Sequence, residues 1–301
     1  MKPWQSPRQM KVLHIEKIDK GTRSKNFHSY MKNKLSHLIP KIRRIIFLFL
    51  KKGLWLTPKF NKKNQERVFI AGMQRSGTNM LMDIIEKSFE TDVYHERDSR
   101  AFDNYQMRDR HTIQKLINQS RAPKFIIKAL CELQDLKELM EYFKPAKVIW
   151  IVRSYDDVVA SMLKSFPNME KQVIRIVHKG SKEWLGRGMT DKTRNKLKDL
   201  IHEGMGDSSA SALQWYFRNI LFFDQQFDKD QRVLLISYED LVTKPEINIK
   251  KICQFIGIEY RPRMISDVFA HSIKRRTPPH ISNEIRVLCD QLQEKFKPLY
   301  Y

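Results

Sequence analysis

Eight residues, Gly72-Met-Gln-Arg-Ser-Gly77-Thr78-Asn79, join an apolar run, Val68-Phe69-Ile70-Ala71, to an amphipathic one, Met80 to Ile85. A strand that passes through a glycine-bounded loop into a helix turns successive backbone N–H groups toward a phosphate. Glycines let such a loop bend and let phosphate oxygens approach the backbone closely. A nucleoside triphosphatase loop follows its second glycine with Lys and then Ser or Thr, for the β/γ-phosphates and for Mg²⁺. Here Thr78 stands where that lysine would be and Asn79 where the metal-binding hydroxyl would be, while the cation, Arg75, lies inside the loop. The pattern implies a phosphate-bearing nucleotide held for something other than ATP hydrolysis. The plainer reading is an ordinary strand-to-helix turn.

A second segment speaks against the plainer reading. Lys147-Val-Ile-Trp-Ile-Val152 is continuously apolar and β-branched, as a strand buried on both faces would be. It ends at Arg153, a helix is expected from Tyr155 to Lys164, and Ser161 lies eight residues beyond Arg153, two turns into that helix. Open parallel sheets bind ligands at the carboxyl ends of their strands. An arginine there, with a hydroxyl from the next helix, can grip a second phosphate.

Together these segments resemble the sulfotransferase family that uses 3′-phosphoadenosine 5′-phosphosulfate as donor. In that family a loop of the form Arg/Lys-Ser-Gly-Thr-Thr holds the 5′-phosphosulfate. Arg75-Ser76-Gly77-Thr78-Asn79 matches it except in the last position, where an amide can still donate to phosphate. The family's 3′-phosphate motif, an arginine at a strand end and a serine eight residues on, matches Arg153 and Ser161. A third element, Val233-Leu-Leu-Ile-Ser-Tyr238-Glu239-Asp240-Leu241, carries at Tyr238 the tyrosine that contacts adenine in the family. The resemblance runs from residue 67 to about residue 260, with the three elements in the family's order.

The resemblance also implies catalytic residues. Sulfuryl transfer depends on positioning and on stabilising negative charge at the transferred group and leaving oxygen, roles that fall to Arg75 and Lys128. Cytosolic small-molecule members carry Lys-Thr-His before the 3′-phosphate strand, with His as base. Phe125-Ile-Ile-Lys128-Ala129-Leu130 keeps the lysine and lacks the histidine. Tyrosylprotein sulfotransferases use instead a glutamate nineteen residues beyond the loop glycine. Counting from Gly77 reaches Glu96, with His95 beside it as the rival base. No Arg-Lys-Gly segment occurs near the C-terminus, and Lys274-Arg275-Arg276 is the nearest substitute. The expected reaction is sulfuryl transfer to a hydroxyl acceptor: a carbohydrate, lipid-linked glycan, phenol or tyrosine. A small-molecule kinase using the same loop is the alternative, disfavoured by the missing lysine and magnesium hydroxyl. A non-catalytic nucleotide- or membrane-binding relic is the other. No metal is required, and no His/Cys cluster at ligand spacing is present.

The elements that must position these residues read as βα units. The expected architecture is a three-layer α/β domain, a central parallel sheet with helices on both faces and a P-loop-like nucleotide site, over residues 67–301. A strand is expected at Lys124–Lys128, with helices over Leu133–Phe143, Ser208–Gln226, Ile247–Ile256 (closed by Gly257) and Ile281–Phe296. Residues 166–207, charged and bearing five glycines, read as a mobile, partly helical insertion near the acceptor. Three scattered cysteines, Cys131, Cys253 and Cys289, argue against a disulfide framework and point to a reducing, cytoplasmic setting.

Charge is unevenly spread. Residues 1–66 hold 17 Lys/Arg against 3 Asp/Glu, a net +14 of the chain's +22, and form a basic N-terminal extension. Within it, residues 41–56 set the apolar run Ile45–Leu50 between basic clusters. The run is far shorter than the ~20 residues of a spanning helix. It suits either peripheral attachment to an anionic membrane surface or a helix packed on the domain with a solvated basic face. No nucleic-acid recognition motif accompanies the charge, so no nucleic-acid partner is expected.

Overall fold

Strand β1 (Glu66–Ala71) sends Val68 and Ile70 into one hydrophobic core and Phe69 and Ala71 into another. Period-2 alternation with both sets apolar is what a strand needs in the middle of a sheet covered on both faces. The computed structural model describes residues 39, 42–57, 60, 65–270, 273 and 277–300. Lys274-Arg275-Arg276, Lys41 and most of residues 1–66 therefore lie outside the described residues. Contacts divide the chain into two compact units, Met1–Gly53 and Leu54–Tyr301. Residues 42–54 form helix α1.

Five strands make the main sheet: β1, β2 (Thr91–Tyr94), β5 (Lys124–Ala129), β6 (Ala146–Val152) and β7 (Val233–Ser237), in the order β2-β5-β1-β6-β7 and all parallel. Helices α2 (Thr78–Glu86), α10 (Tyr238–Thr243) and α11 (Pro245–Ile256) cover one face with Leu81, Ile85, Leu241, Ile249 and Ile252. The other face carries α3 (Arg110–Gln119), α4 (Leu136–Tyr142), α5 (Tyr155–Met162), α6 (Met169–Lys179), α8 (Gly206–Asn219) and α12 (Asn283–Phe296). This is the three-layer architecture expected from the sequence. Because β1 is flanked by β5 on one side and β6 on the other, the crevice lies outside its carboxyl end.

Some boundaries differ from expectation. The helix expected at Leu133–Phe143 opens as a 3₁₀ turn, Leu133–Asp135, before α4. The long helix expected at Ser208–Gln226 divides into α8 and α9 (Leu221–Asp224). Residues 166–207 are more ordered than expected. They hold α6 and α7 (Asp191–Lys198), and Met169, Val173, Ile176, Val177 and Leu197 are buried in the core. The Glu170 carboxylate accepts N–H bonds from Gly204 at 2.8 Å and Gly206 at 2.7 Å, tying the end of the segment to α6. Charged residues between the apolar positions hide this helical stripe from a compositional reading.

α8 is buried along nearly its whole length, and Arg218, close to its end, is fully enclosed. The Arg218 guanidinium donates to the carbonyls of Leu130 at 3.1 Å and Cys131 at 3.5 Å, and to Gln134 Oε1 at 3.2 Å. It thereby satisfies backbone acceptors where the chain leaves β5, which would otherwise be buried without partners. Burial lowers its pKa to about 10.

Candidate functional site

The loop between β1 and α2 makes two close approaches that only glycine permits. Gly72 (φ +147°) lies against the carbonyl of Ile151 in β6, and Gly77 (φ +97°) against the ring of Tyr238; a Cβ at either would overlap those atoms. Arg75 itself takes a left-handed conformation, φ 69°. Gly77 caps α2 without a side-chain hydrogen bond, and the helix's first turn carries no acid. Its leading N–H groups are thus unmasked by any side chain, as an anion site at a helix N-terminus requires. Ser76 Oγ, fully buried in the loop, has no hydrogen-bond partner among the described residues. An orphaned hydroxyl beside unmasked N–H donors fits a phosphate group in this loop.

The three motifs separated in sequence meet here. Arg75 Nε donates to Ser161 Oγ at 2.8 Å, linking the loop to α5. Arg153, following β6, donates to the Arg75 carbonyl at 3.4 Å and stacks over Tyr238, its guanidinium carbon 4.4 Å from the ring centre. Asp157 pairs with Arg153 at 3.5 Å. Supporting contacts that the sequence reading missed hold this corner. Trp215 Nε1 in α8 donates to the Arg153 carbonyl at 2.9 Å, and the Ser154 N–H donates to Glu239 Oε1 at 3.0 Å. Burial raises the Glu239 pKa. The one local signal for Glu239 is its place directly after the expected adenine contact, Tyr238; Trp215 carries no local signal of its role.

On the other side of the loop, Lys128 in β5 is only 1% exposed. Its ammonium donates to Glu96 Oε2 and to Asn79 Oδ1, both at 2.6 Å. Burial pushes the Lys128 pKa below its ordinary range, and the Glu96 carboxylate opposes that shift. His95 points elsewhere, its Nε2 3.2 Å from Glu86 Oε1 and its Nδ1 4.0 Å from Asp83 Oδ1, both on α2. Arg75, expected to act with Lys128 and Glu96, donates to Ser161. The candidate residues thus form two groups: Glu96, Lys128 and Asn79; and Arg75, Ser161, Arg153 and Tyr238. All stand on the carboxyl-end side of the five parallel strands: Lys128 near the end of β5, Arg75, Glu96 and Arg153 in the segments that follow strands, and Asn79, Ser161 and Tyr238 on helices α2, α5 and α10.

A hairpin closes the Lys128 side. Strands β3 (Phe102–Asp103) and β4 (Gln106–Met107) turn through Asn104 and Tyr105, both at positive φ. The Met107 N–H donates to Glu132 Oε1 at 2.6 Å, and the Cys131 thiol donates to the Tyr105 carbonyl at 3.4 Å. The hairpin thus rests on the residues just beyond β5. Burial raises the Glu132 pKa to about 7 and that of Cys131 to about 12. All three cysteines are free and buried. Among the described residues, no group of three or more His, Cys, Asp or Glu could hold a metal ion.

Residues 65–279 match the family model described as the sulfotransferase domain. This chain belongs to the sulfotransferase family. Its general chemistry is therefore sulfuryl transfer. Among solved structures, a sulfotransferase domain from the curacin biosynthetic pathway aligns at 14% identity and TM-score 0.51, over 76% of this chain and 98% of that one. A sulfotransferase domain from the Synechococcus PCC 7002 olefin synthase aligns at 14% identity and TM-score 0.49, over 81% and 98%. A mouse sulfotransferase, SULT7A1, complexed with PAP, aligns at 16% identity and TM-score 0.36, over 77% and 74%. At such identities the first of these likenesses speaks for the fold alone. Curated proteins give no match.

The buried carboxyl of Glu132 makes stability depend on pH. The unfolded chain loses this proton near 4.5 and the folded one near 7, so between these values the folded state binds more protons and stability falls as pH rises. Glu132→Gln keeps an acceptor for the Met107 N–H and removes the titration. Urea unfolding at pH 5 and pH 7.5 should show a smaller stability difference in the variant, by up to about 3 kcal/mol. An unchanged difference would show that Glu132 is ionised in the folded protein throughout.

Proposed function

We propose that this sulfotransferase moves the sulfuryl group of 3′-phosphoadenosine 5′-phosphosulfate to a hydroxyl-bearing acceptor, which a carbohydrate, lipid-linked glycan, phenol or tyrosine would satisfy. The observation that carries the proposal is the meeting of the donor motifs: Arg75 on Ser161, and Arg153 on both the loop carbonyl and the Tyr238 ring. In this reading the loop from Arg75 to Asn79 and the α2 N-terminus take the 5′-phosphosulfate. Arg153 and Ser161 take the 3′-phosphate, and Tyr238 the adenine. A triphosphatase would need a lysine and a metal-binding hydroxyl, and Thr78 and Asn79 occupy those positions.

Glu96 is the proposed base. Its carboxylate shares the Lys128 ammonium with Asn79, whereas His95 is hydrogen-bonded to Glu86 of α2. Glu96 accepts the acceptor's hydroxyl proton as the new S–O bond forms and the bond to the leaving phosphate breaks. Lys128 offsets the negative charge of that step, and Arg75 does so from the donor side.

The proposal extends to an anionic membrane surface as a partner of residues 41–56, with a cytoplasmic enzyme held at that surface. Among the described residues no helix is long and apolar enough to cross a membrane. On α1, Ile42, Ile45, Ile46, Phe49 and Leu50 are 46–77% exposed. At 3.6 residues per turn they fall within an arc of about 140°, with exposed Arg43 and Lys52 just outside its two edges. Apolar side chains flanked by cations suit the boundary between anionic headgroups and acyl chains.

Three outcomes are expected. Glu96→Gln should lower turnover about 10²–10⁴-fold with donor affinity nearly unchanged. A near-normal rate there, together with loss of turnover in folded His95→Ala, would make the histidine the base. Arg153→Ala should cost about 1.5–3 kcal/mol in calorimetric binding of 3′-phosphoadenosine 5′-phosphate, and far less for adenosine 5′-phosphate. Equal losses for both nucleotides would remove Arg153 from the 3′-phosphate. Finally, the protein should sediment with anionic but not neutral vesicles, less so at high salt, and Ile45→Ser with Phe49→Ser should abolish this. Unchanged sedimentation of the double variant would rule out the stripe.

A further inference from the structure

Asn79 is where the loop departs from its family's pattern, and its surroundings give the departure a use. The residue is exposed in the first turn of α2, so its side chain is not fixed there by core packing. Its oxygen nevertheless accepts a 2.6 Å bond from the buried ammonium of Lys128, which donates at the same distance to Glu96. An ammonium has three protons and no acceptor, so Asn79 must turn its carbonyl oxygen, and not its nitrogen, toward Lys128. That choice leaves the amide nitrogen as a donor away from Lys128. Two ammonium protons are thus committed. The third, the Asn79 amide group and Glu96 Oε1 have no hydrogen-bond partner among the described residues. These uncommitted groups comprise N–H donors and one carboxylate oxygen, gathered at the mouth of the phosphate loop.

A threonine in this position would offer a single hydroxyl, one bond shorter, for both the lysine and a phosphate. Asparagine divides the two tasks between two atoms. We propose that Asn79 is a positioning residue for Lys128, holding the buried ammonium against Glu96 so that its remaining N–H is aimed at the transferring group. The proposal rests on the assignment of Lys128 to sulfuryl transfer. Three other titratable groups act on Lys128: Glu96 from the segment after β2 and Cys131 from the segment after β5 favour the charged ammonium, and Arg97 opposes it. A change at residue 79 is therefore read against a fixed set of neighbours.

The test needs no acceptor. Full-length protein carrying ¹³Cε-lysine, with Lys128 assigned by Lys128→Arg, is titrated by NMR as wild type, Asn79→Leu and Asn79→Asp. Removing the oxygen takes away a bond that favours the charged form, so Asn79→Leu should lower the Lys128 midpoint. A carboxylate in its place should raise it, each by about one unit. A residue that only fills space would not give shifts of opposite sign. With donor and a working acceptor, Asn79→Leu should lower kcat about tenfold while KM for the donor changes less than about threefold. Midpoints that stay together in both variants, or a loss confined to donor KM, would overturn the proposal and leave Asn79 a phosphate ligand only. Wild-type protein that binds no 3′-phosphoadenosine 5′-phosphate would instead sink the sulfotransferase reading of the site, with the NMR midpoints still judging Asn79 by themselves.

Discussion

The close seating of the β1–α2 loop is the constraint on which the rest of the structure depends. Gly72 lies against the backbone of β6 and Gly77 against the Tyr238 ring, at contacts that leave no room for a side chain. Those two approaches fix how far the loop sinks between β6 and α10. They also set the direction of the α2 N-terminus and the height of Arg75 above the sheet. Arg75 can reach Ser161, and Arg153 the Arg75 carbonyl, only because the loop runs this low.

Around that loop the fold manages a concentration of positive charge. Arg75 and Arg153 stand together on one side of the loop and Lys128 on the other, and buried or crowded cations are costly unless each is answered. The answers are local: Asp157 and the Tyr238 ring for Arg153, Ser161 for Arg75, Glu96 and Asn79 for Lys128. A polyanionic nucleotide would replace some of these partners with stronger ones. These partners hold the cations in position.

Much of this was legible in the sequence, for reasons that can be named. Strands buried on both faces announce themselves as unbroken apolar runs, which is why β1 and β6 were read with nearly their observed bounds. Gly72 and Gly77 were informative because glycine tolerates backbone angles and contacts that other residues do not. Arg153 and Ser161 are singled out by the resemblance to the family's motif, an arginine at a strand end with a serine eight residues on. What stayed hidden depends on contacts between residues distant in the chain. Trp215 meets Arg153 across 62 positions and Lys128 meets Asn79 across 49, and neither distance leaves a local pattern. The core stripe of α6 was obscured because its apolar positions alternate with Lys, Arg and His. The break between α8 and α9 carries no proline or glycine to mark it.

The order of strands in the sheet has a bearing on how the chain acquires its site. Every strand of the sheet supplies a group at its carboxyl end or in the segment after it: Glu96 after β2, Lys128 within β5, Arg75 after β1, Arg153 after β6 and Tyr238 after β7. Parallel neighbours are distant in sequence, so none of these pairings closes early or cheaply during folding. The proposed site is therefore complete only when all five strands are in place. If a nucleotide binds across these strand ends as proposed, it would stabilise the whole sheet by mass action and not one region of it. In such an arrangement, the capacity to bind is itself a report that folding has finished.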